Sequence, residues 1–588
     1  MVYSSFSSSV FADLHYKIEK ILLGVAGAES WSREWPSFNI ERPKDLSLGD
    51  LACNAAMVLA KPWGKKPAEL AAAMVAGLNA DSAVRMASVA GPGFVNIFLH
   101  DSYWQNLLAI IHQAGRDYGR INIGRGEKTN VEFVSANPTG PLHVGHARGA
   151  VFGDVLARLL RFAGFDVTAE YYINDAGAQV DTLARSLYFS YQQAVDKNMK
   201  GQQLPLGCYP GDYLVQAGIT MAEQLGDIHH GKDEAAWLPL FKERAVELMM
   251  VEIKSDLIKM GIAHDVFSSE KKLVAMGKVN EVLIRLETEE KIYEGVLEKP
   301  KGKTPDDWEP RPQKLFKSTL YGDEIDRPIQ KSDGSFTYFA NDIAYHLDKH
   351  QRGATRLIDV LGADHAGYVK RIVAAVQAVS GARARLHCLT MQVVRFMEGG
   401  QPLKMSKRAG NFIMLRDVID AVGADLLRLY LLTRRPDTQM DFDYEVVKST
   451  SRDNPVFYLH YAAARSHSLG LLITKQFPDI QPDFSPKGLA RLQHPLELQV
   501  IKILAAFPKI IEQAAQLDEP HRIVFYLLEV AASFHQLWTA GRDSHDLKFL
   551  QNDDKELTAA RLALVAVVRQ VMDIGGAVIG ITWKNELR

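Results

Sequence analysis

Cysteine is scarce in this chain. Only Cys53, Cys208 and Cys388 occur among 588 residues, and they lie far apart in the sequence. This spacing excludes a disulfide framework and argues against a zinc site built from cysteines. We therefore expect three buried, inert thiols and no structural zinc.

Long apolar runs and a strong charge imbalance are also missing. No apolar run approaches the ~20 residues that a membrane-spanning helix needs, and the serine-rich start of the chain lacks the basic and apolar segments of a secretion signal. The formal net charge is −2, which does not fit a protein that coats nucleic acid nonspecifically. We expect a globular cytoplasmic protein without a membrane role, whose contacts with RNA, if any, use local basic surfaces.

The length predicts three or four domains. Residues 1–115 read as a small α+β domain, with apolar residues at helical spacing near the start and an alternating strand, Phe94 to Leu99, after a glycine-rich turn. From about residue 451 strand signals vanish and apolar residues fall on helical stripes, which predicts an all-helical domain over 451–588.

The middle of the chain, residues 121–450, alternates strands with helices. Val131 to Val134 reads as a strand, a helix follows that stops at Gly164, and Val167 to Ile173 reads as the next strand. Such βαβ units predict a parallel sheet with crossover helices. A less regular, polar region at about 195–320 separates this unit from strand signals near Leu357 to Leu361, so we interpret it as an insertion between two half-sheets.

The motif His143-Val144-Gly145-His146 lies between the first strand and its helix. Ligands of open α/β sheets bind at the carboxyl ends of strands, where helix N-termini attract phosphate. His143 and His146 can donate to the α-phosphate of a nucleoside triphosphate, and Gly145 allows ribose or base to approach the backbone. The alternative is that the two histidines only cap the helix, but their position after a strand and a turn-rich segment favours the phosphate site.

A second motif, Lys404-Met405-Ser406-Lys407, is bracketed by glycines at 399, 400 and 410. This pattern predicts a loop that opens and closes. Two ammonium groups on such a loop could hold the departing pyrophosphate. A solvated basic loop is the alternative, and the presence of the first motif favours the catalytic interpretation.

Together the two motifs resemble the HIGH and KMSK signatures of class I aminoacyl-tRNA synthetases. Longer segments that contain or accompany them are similar to the arginyl-tRNA synthetases of bacterial type, and the resemblance covers nearly the whole chain. These segments are 90–96, 131–146, 337–346, 362–368 and 453–458.

The resemblance implies an α/β fold class: a Rossmann-type parallel-sheet catalytic domain, an N-terminal α+β domain that binds the tRNA elbow, and a C-terminal all-helical domain that binds the anticodon. It also implies that L-arginine, ATP with Mg²⁺, and tRNA(Arg) are bound, that arginine is activated only when tRNA is present, and that the enzyme is a cytoplasmic monomer. Two features depart from the family. The second motif is intact where many members have a degenerate one, and the ending Trp583 to Arg588 replaces a short hydrophobic tail.

The resemblance also implies the residues of the site. Those expected to bind ATP are His143, Gly145, His146, Asp364, His365, Lys404, Ser406 and Lys407; of these, His143, His146, Lys404 and Lys407 are expected to be catalytic, and no protein residue is expected to ligate a metal. Those expected to bind arginine are Glu132, Asn137, Tyr338 and Asp342.

Arginine recognition needs carboxylates, because a guanidinium is always charged and carries five fixed donors. The alternatives are a helix N-cap for Asp342, a surface-facing strand position for Glu132, and a structural pair for Asp364 with His365. Two other functions remain open at this point: a nucleotidyltransferase that does not use tRNA, and an inert tRNA-binding relative of the synthetases.

Overall fold

The computed structural model describes residues 9–26, 36–297, 310–402, 413–449, 451 and 454–586. By its internal contacts the chain forms two compact units, one made of residues 1–123 and 451–588 and the other of residues 124–450. The two ends of the chain therefore pack into one unit. The three domain boundaries expected from the sequence stay a prediction.

The N-terminal part of the first unit is a four-stranded antiparallel sheet with helices. Its strands lie in the order β1-β2-β4-β3, and Gly91 and Gly93, both at positive φ, form the predicted turn between β3 and β4. The elements are α1 (Val10–Ala26), β1 (Ile40–Glu41), β2 (Leu51–Cys53), α2 (Ala55–Ala60), α3 (Pro67–Asn79), β3 (Val84–Ala90), β4 (Phe94–Leu99) and α4 (Asp101–Ala114).

The second unit begins with the predicted βαβ unit. Its first half consists of β5 (Lys128–Glu132), α5 (Val144–Phe162), β6 (Asp166–Ile173), α6 (Ala178–Val195), α7 (Asp212–Leu225), α8 (Glu234–Lys259), β7 (Val266–Ser269), α9 (Glu270–Ala275), α10 (Lys278–Thr288) and β8 (Ile292–Gly295). The helix α5 ends two residues before Gly164, which has φ +87°, so the predicted stop is confirmed. The strand β5 ends two residues earlier than expected, at Glu132.

The second half of this unit supplies the rest of the sheet and two small antiparallel or mixed sheets. Its elements are β9 (Gln313–Phe316), β10 (Arg327–Gln330), α11 (Tyr338–Gln351), β11 (Arg356–Gly362), α12 (Val369–Ser380), β12 (Arg385–Met391), β13 (Val394–Glu398), β14 (Gln401–Pro402), α13 (Leu415–Val422), α14 (Ala424–Leu431), β15 (Met440–Asp443) and α15 (Tyr444–Lys448).

The main sheet has five parallel strands in the order β12-β11-β5-β6-β7. The chain proceeds from β5 to β6 and β7 on one side and later adds β11 and β12 on the other. The strand order therefore reverses between β5 and β11, and in open α/β sheets ligands bind at the carboxyl ends of the strands at such a point. The predicted parallel sheet and α/β fold class are confirmed.

The region 195–320 is more regular than expected. Its described residues, 195–297 and 310–320, include the α-helices α7 to α10 and the strand β7, which extends the parallel sheet. Helix α8 packs on α6 around a separate apolar core in which the rings of Tyr188 and Trp237 stack at 3.8 Å. The sequence hides this order because α8 has exposed polar residues on most of its surface and a proline, Pro239, inside it.

The C-terminal part of the first unit is all-helical, as predicted. Its helices are α16 (Pro455–Gln476), α17 (Pro486–Leu489), α18 (Pro495–Leu504), α19 (Phe507–Leu517), α20 (His521–Asp543) and α21 (Lys555–Ile579). By length and composition α21 could cross a membrane, but 72% of its most apolar window is buried inside the unit, as in the core helix of a globular domain. Trp583 is buried and donates from Nε1 to the carbonyl oxygen of Met572 at 2.6 Å, so the unusual ending packs on this helix.

Polar contacts join the two parts of this unit. Tyr118 donates to the carbonyl oxygen of Leu504 at 2.9 Å, and Gln570 donates to the carbonyl oxygens of Ile111 and Gly115 at 2.6 and 2.8 Å. These are buried or partly buried hydrogen bonds, which explains why residues far apart in sequence form one unit.

The three cysteines are free, but only Cys53 is fully buried, and burial raises the pKa of its thiol to about 12. Cys208 and Cys388 are only partly buried, so the expectation of three buried thiols is wrong for these two.

Candidate active site

The first motif forms the start of α5 at the switch point of the sheet. His143 is the N-cap residue, and its Nδ1 accepts a hydrogen bond from the backbone N–H of Gly145 at 3.1 Å. The backbone N–H of His143 donates to Nδ1 of His146 at 3.3 Å. Both histidines therefore cap the helix, as the alternative interpretation expected. Capping is compatible with phosphate binding, because a neutral imidazole whose Nδ1 accepts a hydrogen bond carries its proton on Nε2, which can donate to a phosphate.

Gly145 has a role that the sequence did not reveal. A Cβ atom at this position would lie 2.9 Å from Nδ1 and Cε1 of His143. A side chain there would displace the imidazole, so glycine is needed for the position of His143, in addition to the expected room for a nucleotide.

The second motif, with Lys404, Ser406 and Lys407, lies outside the residues that the structure describes, but its flanks are visible. After the motif, Ile413 accepts a hydrogen bond from the backbone N–H of Val144 at 3.2 Å, and Leu415 donates to Leu142 at 2.8 Å. The segment that follows the second motif is therefore hydrogen-bonded to the first. Upstream, Gly399 and Gly400 both have positive φ and form the tight turn between β13 and β14. These two glycines therefore form a hairpin turn, whereas the sequence suggested a hinge for a loop that opens and closes.

Glu132, at the end of β5, is buried. Its Oε1 accepts from the hydroxyl of Ser135 at 2.8 Å, and its Oε2 accepts from Nζ of Lys349 at 2.5 Å. The chain turns sharply after it, since Val134 and Ser135 have φ of +70° and +37°, a conformation that side-chain-bearing residues rarely adopt and that is often found at functional sites. The surface-facing alternative for Glu132 is wrong.

One face of α11 carries most of the other polar groups. The helix is capped by Thr337, whose hydroxyl accepts from the N–H of Ala340 at 3.3 Å, so Asp342 is not the N-cap. Asp342 is partly buried and accepts from the hydroxyl of Tyr368. Loss of hydration raises the pKa of its carboxyl to about 6, against the opposing effect of the Tyr368 hydrogen bond, and the charge of Glu132 contributes to this rise.

A buried ionic network lies beneath these carboxylates. The ammonium group of Lys349 binds Glu132 and also Oδ1 of Asp359 at 3.1 Å, while Nε2 of His346 lies 2.8 Å from Oδ2 of Asp359. Burial alone would raise the pKa of Asp359, but Lys349 and His346 outweigh it and lower that pKa. Glu132, His346 and Asp359 are close enough to resemble a metal site, and Lys349 already supplies the positive charge that such a cluster needs.

The other two residues expected to bind arginine are more open. Asn137 is exposed and donates to the side chain of Gln179 at 3.1 Å. Tyr338 is the first residue of α11, one turn before Asp342, and its side chain is 70% exposed. The structure therefore places the buried Glu132 and the partly buried Asp342 near enough for their charges to interact, and leaves Asn137 and Tyr338 exposed.

Asp364 and His365 lie in the turn that follows β11, at the carboxyl edge of the sheet. His365 Nε2 is 3.8 Å from Asp364 Oδ2, and the two side chains are 58% and 84% exposed. A contact that is this long and this exposed contributes little to stability. The alternative that Asp364 and His365 form a purely structural pair is therefore disfavoured.

Sequence reasoning missed Tyr345, His346, Lys349 and Asp359. The signal was present, because Tyr345, His346 and Lys349 follow Asp342 at spacings of three, four and seven residues, which defines one helical face. A lysine on the buried face of a helix indicates a partner carboxylate, although the sequence did not say which one.

Comparisons with known proteins identify the family of this chain. Three family models match the chain: "Arginyl tRNA synthetase N terminal domain" at residues 14–99, "tRNA synthetases class I (R), catalytic domain" at 107–208 and 312–429, and "DALR anticodon binding domain" at 459–587. An arginine–tRNA ligase from Cereibacter sphaeroides is 49% identical over 583 residues, which covers 98% of this chain and all of the relative. Another from Ruegeria pomeroyi is 49% identical and covers 96% of each chain.

The fold also matches a solved structure, the arginyl-tRNA synthetase of Thermus thermophilus, with a TM-score of 0.72 and 20% identity over 98% of this chain and all of that one. At that identity the likeness concerns the fold alone. The near-complete match to relatives about half identical in sequence shows that this chain belongs to the arginyl-tRNA synthetase family, the class I arginine–tRNA ligases.

Proposed function

We propose that this arginine–tRNA ligase binds the arginine side chain between the end of β5 and the first turns of α11, with Glu132, Asn137, Tyr338 and Asp342 as its polar contacts. The observation that carries the proposal is the charge environment of the Asp342 carboxyl group. Among the described residues no lysine or arginine forms an ion pair with it, and loss of hydration raises its pKa to about 6. A guanidinium restores the missing positive charge and favours the ionised carboxylate.

ATP is proposed to bind at the N-terminus of α5. His143, Gly145 and His146 lie at the positive end of the helix dipole, at the switch point of the sheet, where phosphate is bound in many α/β proteins. Asp364 and His365 follow β11, the neighbouring strand, and are proposed to line the same pocket. Lys404, Ser406 and Lys407 are proposed to complete it, and the hydrogen bonds at Ile413 and Leu415 support a position of this loop beside the first motif.

The reaction then follows in two steps. A carboxylate oxygen of arginine attacks the α-phosphorus of ATP, the bond to the bridging oxygen breaks, and pyrophosphate leaves. Next, a ribose hydroxyl at the 3′ end of tRNA(Arg) attacks the carbonyl carbon of arginyl-adenylate, and AMP leaves. No protein nucleophile is needed, so the protein contributes position and charge: His143 and His146 donate to the α-phosphate, and Lys404 and Lys407 balance the charge of pyrophosphate.

The remaining expectations rest on the family alone. We propose that Mg²⁺ accompanies ATP by binding its phosphates, that no zinc is needed, that arginine is activated only with tRNA bound, and that the enzyme acts as a cytoplasmic monomer. The N-terminal domain is proposed to contact the tRNA elbow and the helical domain the anticodon. A nucleotidyltransferase that does not use tRNA would have no use for an anticodon-binding domain, which removes that alternative.

The test is Asp342→Asn, assayed by arginine-dependent ATP–pyrophosphate exchange with tRNA present. The substitution keeps the size of the side chain and the hydrogen bond from Tyr368 but removes the charge. The KM for arginine should rise about 10- to 100-fold while the KM for ATP stays nearly unchanged, because one charged hydrogen-bonded contact is lost. Asp348→Asn, which removes a carboxylate two turns later on α11, is the matched control. An unchanged KM for arginine in Asp342→Asn would refute this pocket, and a wild type without exchange activity would support the inert relative.

A further inference from the structure

The first motif is held in place by a segment that lies far from it in the sequence. Residues 142–144 run antiparallel to residues 413–415, and His143 lies opposite Met414 in an isolated β-bridge. Two backbone hydrogen bonds, of 3.2 and 2.8 Å, join the two segments. The position of the His143 backbone, and with it the position of the imidazole, therefore depends on where residues 413–415 lie.

Arg416 follows this segment directly and anchors it to another helix. It lies in the first turn of α13, and its guanidinium contacts two carboxylates of α8. The Nε atom of Arg416 is 3.2 Å from Oδ1 of Asp256, and Nη2 donates to Oε2 of Glu252. Since α8 belongs to the region 195–320, that region fixes the start of α13 and thereby the segment that bridges to His143.

The contact with Asp256 is the buried part of this anchor. The side chain of Asp256 is 2% exposed, and among the described residues Arg416 is the only lysine or arginine that forms an ion pair with it. Loss of hydration raises the pKa of Asp256 even though the charge of Arg416 opposes the rise. A buried carboxylate is strongly destabilising without its cation. Arg416 and the start of α13 are therefore held at one position on α8.

The end of α8 is in turn attached to α5, the helix that carries the first motif. Arg428 of α14 donates to the carbonyl oxygen of Met260, the C-cap of α8, at 3.0 Å, and it also donates to Asp154 of α5. Arg158 of α5 donates to the carbonyl oxygen of Gly261 at 2.9 Å. Polar contacts thus connect α5 to α8, α8 to α13, and the start of α13 back to the first motif.

We propose that Arg416 is a positioning residue for the reaction: its pairing with Asp256 and Glu252 places residues 413–415, and these place the imidazole of His143 at the α-phosphate of ATP. This inference rests on the proposed ATP site. The alternative is an ion pair that only stabilises the fold. A displacement of about 1 Å at a reacting site can lower the rate about 100-fold, so an anchor one residue from the bridging segment can control the rate without touching a substrate.

The first experiment is Arg416→Met, assayed by arginine-dependent ATP–pyrophosphate exchange with tRNA present. We expect kcat to fall about 10- to 100-fold, because the donor to the α-phosphate is displaced. The KM for arginine should stay nearly unchanged, since the proposed arginine contacts lie on and after β5 and on α11. Arg416→Lys should retain part of the lost rate, because an ammonium can pair with Asp256 but lacks the planar fork of a guanidinium.

The matched control is Lys259→Met. Lys259 also joins α8 to α13, through Asp420, but the two charged groups are 3.9 Å apart and their side chains are 47% and 68% exposed. An exposed pair of this kind contributes little, so the control should keep a kcat close to that of wild type. A kcat for Arg416→Met as high as that of the control would overturn the proposal.

A double variant separates positioning from stability and stays informative if Arg416→Met folds poorly. Arg416→Met leaves the carboxylate of Asp256 buried without its cation, which should lower the thermal stability. Adding Asp256→Asn removes that charge and should recover much of the stability. The kcat of the double variant should nevertheless stay low, because α13 still lacks its anchor. If kcat recovers together with the melting temperature, Arg416 acts only through stability and the proposal is overturned.

A double-mutant cycle with His143→Ala tests whether Arg416 acts through this imidazole. His143→Ala alone should lower kcat roughly 100- to 1,000-fold, because one preorganised donor is lost. In that background Arg416→Met should lower kcat further by only about twofold or less, and equal factors in both backgrounds would overturn the proposal. If His143→Ala leaves kcat unchanged, the proposed ATP site is wrong and this inference fails with it. If His143→Ala lowers kcat but Arg416→Met does not, the ATP site stands and the role of Arg416 is overturned.

Discussion

The buried ammonium of Lys349 offers a strong test of the energetics beneath the active site. Its side chain is 0% exposed and binds Glu132 at 2.5 Å and Asp359 at 3.1 Å. Lys349→Met preserves much of the side-chain length but leaves two buried carboxylates without their cation. Removing one partner of a buried ion pair costs about 3–5 kcal/mol, because the remaining charge stays desolvated.

The loss should depend on pH in a defined way. Burial alone would lower the pKa of Lys349, but Asp359 and Glu132 raise it above the ordinary value of 10.5, so the stability from its charge is present below that value and is lost above it. The pKa of Asp359 is lowered below its ordinary value of 3.8, so the stability from its ionisation is present above pH 3.8 and is lost in more acidic solution. The difference between wild type and Lys349→Met should therefore be largest between about pH 4 and pH 10.

Scanning calorimetry measures this difference, and for a unit of this size the transition should shift down by roughly 5–10 °C at neutral pH. Lys278→Met is the matched control, since Lys278 also pairs with a carboxylate of α11, Asp348, but at 3.7 Å and with its side chain 21% exposed. We expect that control to lose at most about 1 kcal/mol. Equal shifts for the two variants would contradict the reasoning, because they would mean that burial does not decide the strength of the pair.

Two further predictions concern activity. The pKa of Asp342 is about 6 and a guanidinium binds the ionised form, so kcat/KM for arginine should decrease about tenfold per pH unit below pH 6. If the Asp342→Asn variant shows the same decrease at low pH, another group causes it. Gly145→Ala should lower the exchange rate about 10- to 100-fold at nearly wild-type thermal stability, because its Cβ would lie 2.9 Å from the ring of His143; an unchanged rate would show that the imidazole position is not critical.

The fold was predictable where the residue pattern within one short segment is enough to define a helix, a strand or a turn. The βαβ unit around α5, the end of that helix near Gly164 and the stripe of α20 follow from apolar spacing and turn residues, which act over a few positions. The end of β5 was placed two residues too late, because apolar Phe133 and Val134 continue the strand pattern while the backbone turns to positive φ at Val134. The order within 195–320 was missed because α7 and α8 pack on a small separate core and present polar surfaces.

The residues proposed for the site came from the sequence, but their arrangement did not. Glu132 and Asp342 were predicted through the family motifs, and the structure places both beside one buried network. Lys349 and Asp359 were not found, because each matters through a partner on another strand or helix. A carboxylate, a lysine or a tyrosine has no functional meaning in the sequence until its partner is known.

The sequence by itself determined the family, the parallel sheet and the two signature motifs, since these depend on residue types at fixed short spacings. Only the tertiary structure decided which charges are neutralised and which are left for a ligand. Lys349 pairs with Glu132 and Asp359, while among the described residues no lysine or arginine forms an ion pair with Asp342, whose carboxyl has a raised pKa. The physical reason is that the energy of a charge depends on its burial and on the distance to its partners, and both are set by packing between elements that are distant in the chain.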